Sequence, residues 1–211
     1  MKLNHLFILF GLIAFYSCEK KDGATPGNPI VQEPVTNVYF PMNIGNYWVY
    51  EFQTKDPSGN IVGNISFDTL KIVSDTIIAD ETYFVFTTNK PFNNSRETLR
   101  DSLGYIINED GIIKLLPSAN EAIYNFHYGY IAGDTAYAYW EEFHDDIYIQ
   151  SPTGEYTCLG RFAKHQIWPE FGSNTSVDSN LYAGIGQVTR SYSYFSGSKM
   201  YGTLIDYNLE D

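Results

Sequence analysis

Between Asn46 and Phe52 the side chains alternate strictly. Trp48, Tyr50 and Phe52 fall on one face, and Tyr47, Val49 and Glu51 on the other. A period of two marks a half-buried β-strand, because successive side chains leave opposite sides of a sheet. Pro41 and the Gly45-Asn46 pair punctuate the approach to this strand, since both interrupt regular pairing. The competing pattern is missing. After the first 17 residues, apolar side chains nowhere recur at i, i+3, i+4, i+7 over three turns, so no long helix is expected. Such a chain must pair strands and curve or stack the resulting sheet around a core.

The rest of the sequence repeats the habit of short strands and turns. Asp56-Pro57-Ser58-Gly59-Asn60 is a turn, and Ile65–Ser74 a second strand. Ala79-Asp80-Glu81 turns the chain into Tyr83–Thr88, and Lys90–Ser95 is a polar loop. Leu99–Ile107 reads as one strand, and Asp110-Gly111 is a hairpin signal before Ile112–Leu116. Pro117–Glu121 breaks the pattern ahead of Tyr124–Tyr130, and Tyr137 and Tyr139 begin the next strand. Ser151-Pro152-Thr153-Gly154 is a turn into Tyr156–Trp168, followed by an irregular loop to Asn180 and paired strands at Gly186–Phe195 and Tyr201–Leu209. About ten strands with turns every 8–12 residues predict an all-β fold. The expected fold is a single antiparallel domain, as a strongly curved sheet, open barrel or sandwich, with little helix outside the leader. With 44% hydrophobic and 17% aromatic residues the chain can fill such a core. Ile44-Gly45-Asn46, leading into WVYEF and DPSG, is echoed by Ala132-Gly133-Asp134, leading into AYAYWEEF and SPTG. Two related sheet halves and chance are both open readings of that echo.

Ahead of the strands lie an address and a tether. Lys2 and His5 precede an apolar run, Leu6–Phe15, that is too short to span a bilayer and ends at Tyr16-Ser17-Cys18. A small residue directly before Cys at such a point resembles the lipobox of bacterial lipoproteins, with Phe15 and Tyr16 departing from its usual residues. That resemblance implies cleavage after residue 17, acylation of Cys18 and attachment to a membrane. Two or more acyl chains at ~0.8 kcal/mol per buried CH₂ anchor stably where one does not. Residues 18–37 carry Pro26, Pro29, Pro34, Gly23 and Gly27 without periodicity, and form a flexible tether with ends ~25 Å apart. The domain is expected over 38–211. Cys158 is then the one cysteine besides Cys18, so no disulfide is expected within the mature chain. The net charge of −12 becomes −13 once Lys2 leaves with the leader, which argues against nucleic acid or anionic headgroups as partners.

Pro41, Gly45-Asn46, Trp48 and Tyr50 resemble the P-x-x-x-G-N-x-W-x-Y opening of a group of uncharacterised Gram-negative cell-envelope lipoproteins. The similarity continues through Gly160 and Phe162, Tyr182-Ala183-Gly184-Ile185-Gly186-Gln187-Val188 and Leu204-Ile205-Asp206-Tyr207. It implies a fold and a place at the outer membrane or cell surface, in the periplasm or outside. These are turn glycines and core aromatics, and they imply no catalytic residue.

No constellation carries recognisable chemistry. Glu141, Glu142, Asp145 and Asp146 beside His144 could form a metal cluster, but H-E-x-x-H and paired Cys motifs are absent and a solvated acidic strand end is the better reading. Asn174–Asn180 lacks the Gly and distal Glu of a calcium loop, and Gly184-Ile185-Gly186 lacks the helix of a dinucleotide site. G-x-S-x-G, S-x-x-K and P-loop patterns do not occur. No catalytic residue, metal ligand or cofactor is therefore expected. Tyr124, Tyr128, Tyr130, Tyr137 and Tyr139 read either as an ordinary sheet face or as an aromatic platform for a glycan. Asp68-Thr69-Leu70, Asp75-Thr76-Ile77, Asp101-Ser102-Leu103 and Asp134-Thr135-Ala136 resemble O-glycan acceptors, and equally ordinary strand ends. The expected protein is a lipid-anchored, non-enzymatic envelope lipoprotein that binds or assembles. The alternatives are a carrier of a lipid or hydrophobic ligand in a half-open barrel and a glycan-binding surface protein. A hydrolase would need a pocket that gathers His144 or His165 with carboxylates.

Overall fold

The computed structural model describes residues 37–89, 96–120, 122–132, 135–168, 175–194 and 197–210. They form one sheet of twelve antiparallel strands and, among the described residues, no helix. The strands are β1 (Tyr47–Lys55), β2 (Ile61–Ile78), β3 (Glu81–Thr88), β4 (Arg96–Ser102), β5 (Tyr105–Asn108) and β6 (Ile113–Leu115), then β7 (Tyr124–Ala132), β8 (Thr135–Ser151), β9 (Gly154–Trp168), β10 (Thr175–Ala183), β11 (Gly186–Ser193) and β12 (Lys199–Asn208). The order across the sheet is β6-β5-β4-β3-β2-β1-β12-β11-β10-β9-β8-β7. The sheet curls into a nearly closed barrel, so of the expected architectures the barrel is the one formed.

The topology is two meanders joined in the middle. The chain leaves the centre at β1, walks to one edge at β6, crosses to the other edge at β7 and walks back to β12. There β12 pairs with β1 from Tyr47↔Asn208 to Lys55↔Lys199. Shifting by six positions superposes the order of the halves and matches β1 to β7. The sequence echo instead links β1 to β8, one strand out of step, and its Gly133 and Asp134 lie outside the described residues.

Two strands differ from expectation. Leu99–Ile107 is two strands, because Leu103 and Gly104 both take positive φ (56° and 86°) and turn the chain within one hairpin. The Asp101 carboxylate stabilises the turn by accepting from Gly104 N at 2.7 Å and Asn37 N at 2.6 Å. Leucine is a poor signal for left-handed backbone, which is why the turn is hidden in the sequence. Thr175–Ala183 is strand β10 where loop was expected. Its inward residues Ser176, Asp178 and Asn180 are polar, and its pairing with β9 over eight residues decides its conformation.

The alternation that opens β1 points Trp48, Tyr50 and Phe52 into the barrel, at 0%, 0% and 4% exposure. Phe40, just upstream, stacks between Trp48 (5.3 Å between centroids) and Phe86 (5.6 Å) and meets the edge of Tyr182. Asn37 fixes this segment, its amide donating to the carbonyls of Gly104 (2.8 Å) and Leu116 (3.1 Å). The domain therefore holds its first described residue firmly.

Candidate functional site

The sequence motifs meet one another in the structure. Trp48 donates its indole N–H to the Ile185 carbonyl at 2.5 Å, and the Tyr50 hydroxyl donates to the Gln187 carbonyl at 2.8 Å. Asn46 donates to the Pro41 carbonyl at 3.2 Å and accepts from Glu210 N at 2.7 Å. Gly186 sits at φ +105°, and a Cβ there would lie 2.5 Å from Trp48 Nε1. Only glycine lets the indole approach the β10–β11 turn this closely. The residues of P-x-x-x-G-N-x-W-x-Y and of Tyr182–Val188 thus serve each other, and their job is to join the two halves.

A polar network lies on the inner wall of the second half. Glu141 is 1% exposed, which corrects its reading as part of a solvated acidic end; Glu142, His144, Asp145 and Asp146 do lie at or near the surface. Its odd-numbered neighbours Tyr139 and Phe143 share the inward face, and Arg161 answers it from β9 with Nε at 2.7 Å and Nη2 at 2.5 Å. Tyr139 also donates its hydroxyl to Glu141, and Asn125 donates at 3.0 Å. Burial alone would raise the Glu141 pKa, but the Arg161 guanidinium and these donors hold it below the usual carboxylate range. The Tyr139 hydroxyl is pushed up, first by burial and then by its bond to Glu141.

The barrel interior is not full. A cavity of about 230 Å³ lies inside it. The first half supplies an apolar wall from Phe40, Leu70, Phe86, Leu99, Ile106 and Leu115. The second half supplies a polar one from Arg161, Asn180, Tyr182, Gln187, Arg190 and Tyr192. Half-exposed Glu97 and Lys114, paired at 3.0 Å, stand where the cavity meets solvent. Arg190 crosses the barrel over Gly202, where a Cβ would meet Arg190 Cγ at 2.8 Å and Phe52 at 2.4 Å. Its guanidinium packs on the rings of Tyr50 (5.0 Å), Tyr192 (5.7 Å) and Phe52 (5.8 Å). Asp68 is 3.9 Å away, beyond hydrogen-bond distance, and both its oxygens as well as Arg190 Nε and Nη1 are buried without a hydrogen-bond partner.

Arg161 and Arg190 were not singled out in the sequence, and Asp68 was read only as part of an acceptor-like Asp-Thr-Leu or a strand end, yet each carries a signal. Each stands at an inward position of the alternation: Asp68 with Leu70 and Ile72, Arg161 with Leu159 and Ala163, Arg190 with Tyr192. A charge in register with core residues is costly unless something inside the fold meets it.

The tyrosines do not share one face. Asn125 takes positive φ (50°) and bulges β7, so that Tyr124 stands opposite Glu141 while Tyr128 stands opposite Ala138. Tyr124 packs into the core, edge-on to Phe143, and Tyr139 belongs to the Glu141 network. Tyr137 is half-buried opposite Gly129, and Tyr128 is 57% exposed. Tyr130 pairs with Ala136; its side chain lies outside the described atoms. Cys18 is also outside the described residues.

The histidines are dispersed. His165 packs at a tilt against Tyr139, with centroids 4.8 Å apart, and lies 3.8 Å from Asp178, and His127 is 6.0 Å from Tyr139 on its other side. His144, with Glu142 and Asp145, lines a shallow cleft of about 590 Å³. There the Glu142 carboxylate is engaged by Lys164 at 2.6 Å and Trp140 at 2.9 Å, and Asp145 accepts from Ala119 N at 3.0 Å. Among the described residues, no serine, threonine or cysteine lines that cleft. Among the described residues no three His, Cys, Asp or Glu side chains lie together as metal ligands. Cys158 is buried, with its thiol pushed up to about 11 by desolvation, which makes it an inert core residue.

No protein-family model matches the chain, and no curated protein resembles it in sequence. Two solved structures are similar to it in a structural comparison. A chain from Parabacteroides distasonis, provisionally described as a lipoprotein, superposes with a TM-score of 0.50 at 14% identity, over 84% of this chain and 100% of its own. A chain from Bacteroides fragilis, provisionally described as an exported protein with a YmcC-like fold, gives a TM-score of 0.45 at 13% identity, over 81% of this chain and 99% of its own. At such identities the likeness is one of fold.

Proposed function

We propose that the protein is a lipid-anchored lipoprotein of the Gram-negative cell envelope, whose barrel domain binds a partner or ligand without catalysing a reaction. The observation that carries the reading is Ser17-Cys18 at the end of a short apolar run, followed by a Pro- and Gly-rich tether. Acylated Cys18 would hold the domain at the outer membrane or cell surface on ~25 Å of flexible chain. The description of the fold-similar Parabacteroides chain as a lipoprotein agrees with this reading. The test is Cys18→Ala in the producing cell. The variant is expected in the aqueous phase after detergent partition, with unchanged circular dichroism. A variant that stays in the detergent phase would remove the anchor from the proposal.

A specific observation favours one form of binding. The cavity between an apolar and a polar wall suits a carrier of a small ligand within the barrel. The glycan-platform reading draws less support, because the β7 bulge divides the tyrosines between two faces.

A further inference from the structure

We propose that the barrel cavity binds a small amphiphilic carboxylate, with its anionic head on Arg190 and its apolar body against Phe86, Leu99, Ile106 and Leu115. This inference rests on the carrier reading of the barrel and names the chemical class of its ligand.

Arg190 is the starting point. Its side chain is 11% exposed and lines the cavity, and its Nε and Nη1 donors have no hydrogen-bond partner. Donors buried in this way cost stability unless a ligand or water satisfies them. The nearest carboxylate, Asp68, is paired with it by charge at 3.9 Å without making a hydrogen bond, and its own oxygens are unpartnered by hydrogen bonds. Arg161, the other arginine on this wall, is already matched by Glu141 in a two-bond pair. The polar wall thus holds one arginine in use and one with donors to spare.

The surroundings limit what that arginine can accept. Asp68 lies beside it, Glu141 sits behind Arg161, and Glu97 is at the mouth with Lys114. A dianion such as a phosphate monoester would bring twice the charge of a carboxylate to a guanidinium that already has Asp68 at 3.9 Å. A monoanion meets the same neighbour with half the charge, and the guanidinium has donors to spare for it. The body of the ligand is set by the opposite wall. Six apolar side chains from the first half line it, and its polar exceptions, Thr88, Glu97 and Lys114, include the half-exposed pair at the mouth. An apolar cavity of 150 Å³ holds benzene, so about 230 Å³ admits a body of roughly eight to twelve non-hydrogen atoms. That size matches a medium-chain carboxylate and excludes an intact phospholipid.

The experiment uses the full mature chain carrying Cys18→Ala, free of detergent, with octanoate, octan-1-ol and octylammonium as probes. Binding is followed by calorimetry and by the rise in unfolding midpoint that a ligand of the folded state produces. Octanoate is expected to bind, octan-1-ol to bind at least about tenfold more weakly, and octylammonium not to bind, as for the loss of one charge-assisted hydrogen bond. Arg190→Met should erase the advantage of octanoate over octan-1-ol. Because Arg190→Met leaves Asp68 buried alone, the double variant Asp68→Asn/Arg190→Met is measured beside it. Ile106→Phe, which fills the apolar wall and leaves Arg190 in place, should abolish binding of both octanoate and octan-1-ol. Equal binding of octanoate and octan-1-ol, or octanoate binding that survives removal of Arg190, would overturn the carboxylate inference while leaving the carrier reading intact. Failure of all three probes to bind the unsubstituted cavity would overturn both.

Discussion

Glu141 takes hydrogen bonds from Arg161, Tyr139 and Asn125 inside the barrel, so its protonation state is coupled to stability. Its folded-state pKa lies below the ordinary value of 4.5. A depressed carboxylate contributes fully above its unfolded pKa, and the contribution drains away as the pH falls through the folded value. The domain should therefore lose stability below about pH 4.5. Glu141→Gln should flatten that acid limb and cost about 3 kcal/mol at neutral pH, because Arg161 would remain buried beside an uncharged partner. Urea melts across the acid range check both; parallel limbs in the two proteins would disconnect Glu141 from the acid response. Trp48→Ala should cost ~3–5 kcal/mol in the same assay, since it empties a fully buried aromatic site and frees the Ile185 carbonyl. A cost below about 1 kcal/mol would contradict its burial. The burial of Trp48 was legible in its alternation with Tyr50 and Phe52. The role of Glu141 was hidden by its acidic neighbours, although its parity with Phe143 placed it on the inward face.

Strand β7 shows what one residue does to an element. The bulge at Asn125 moves Tyr124 to the inner face, and the Asn125 side chain donates to the Ile113 carbonyl of β6 at 3.0 Å. β6 and β7 are the two edges of the sheet, so this bond crosses the seam of the barrel. Unpaired edges invite foreign strands, and a side-chain bridge is one way to cover them. Asn125→Ala should remove the bridge and one donor to Glu141, at a cost of roughly 1–3 kcal/mol. Hydrogen exchange should then quicken in β6 and β7 first, with β1 and β12 little changed. Uniform loss of protection would mean that Asn125 supports the core as a whole and not the seam. The strands themselves were mostly readable, because alternation and the Asp-Pro-Ser-Gly, Ala-Asp and Asp-Gly turns punctuate them. The bulge was not, since asparagine in left-handed backbone inside a tyrosine-rich strand leaves the apparent period of two intact. Nor was β10 readable, because its neighbours and not its polar sequence make it a strand.

The whole barrel depends on strands far apart in sequence. β1 and β12 pair at its centre, and β1 also reaches the β10–β11 turn through Trp48 and Tyr50. The apolar cavity wall comes from the first half and the cationic wall from the second, so neither half encloses the site alone. A single sequence gives the local period that builds each strand. It does not say which strands meet across the length of the domain, which is why barrel and sandwich were both open and a ligand-holding barrel stood only among the alternatives. Long-range pairing of this kind is expected to make folding slow, on the millisecond-to-second scale of all-β domains. It also makes the last strand indispensable. Removing Lys199–Asn208 would expose the inner edge of β1 and leave β11 unpaired on the same side, while Leu204, fully buried, would leave the core. A chain ended at Ser198 should therefore show no cooperative urea transition and no native near-ultraviolet circular dichroism, although all nine remaining strand pairings join consecutive strands. A sigmoidal transition in the shortened chain would show that the halves fold independently, and that the β1–β12 joint only docks them.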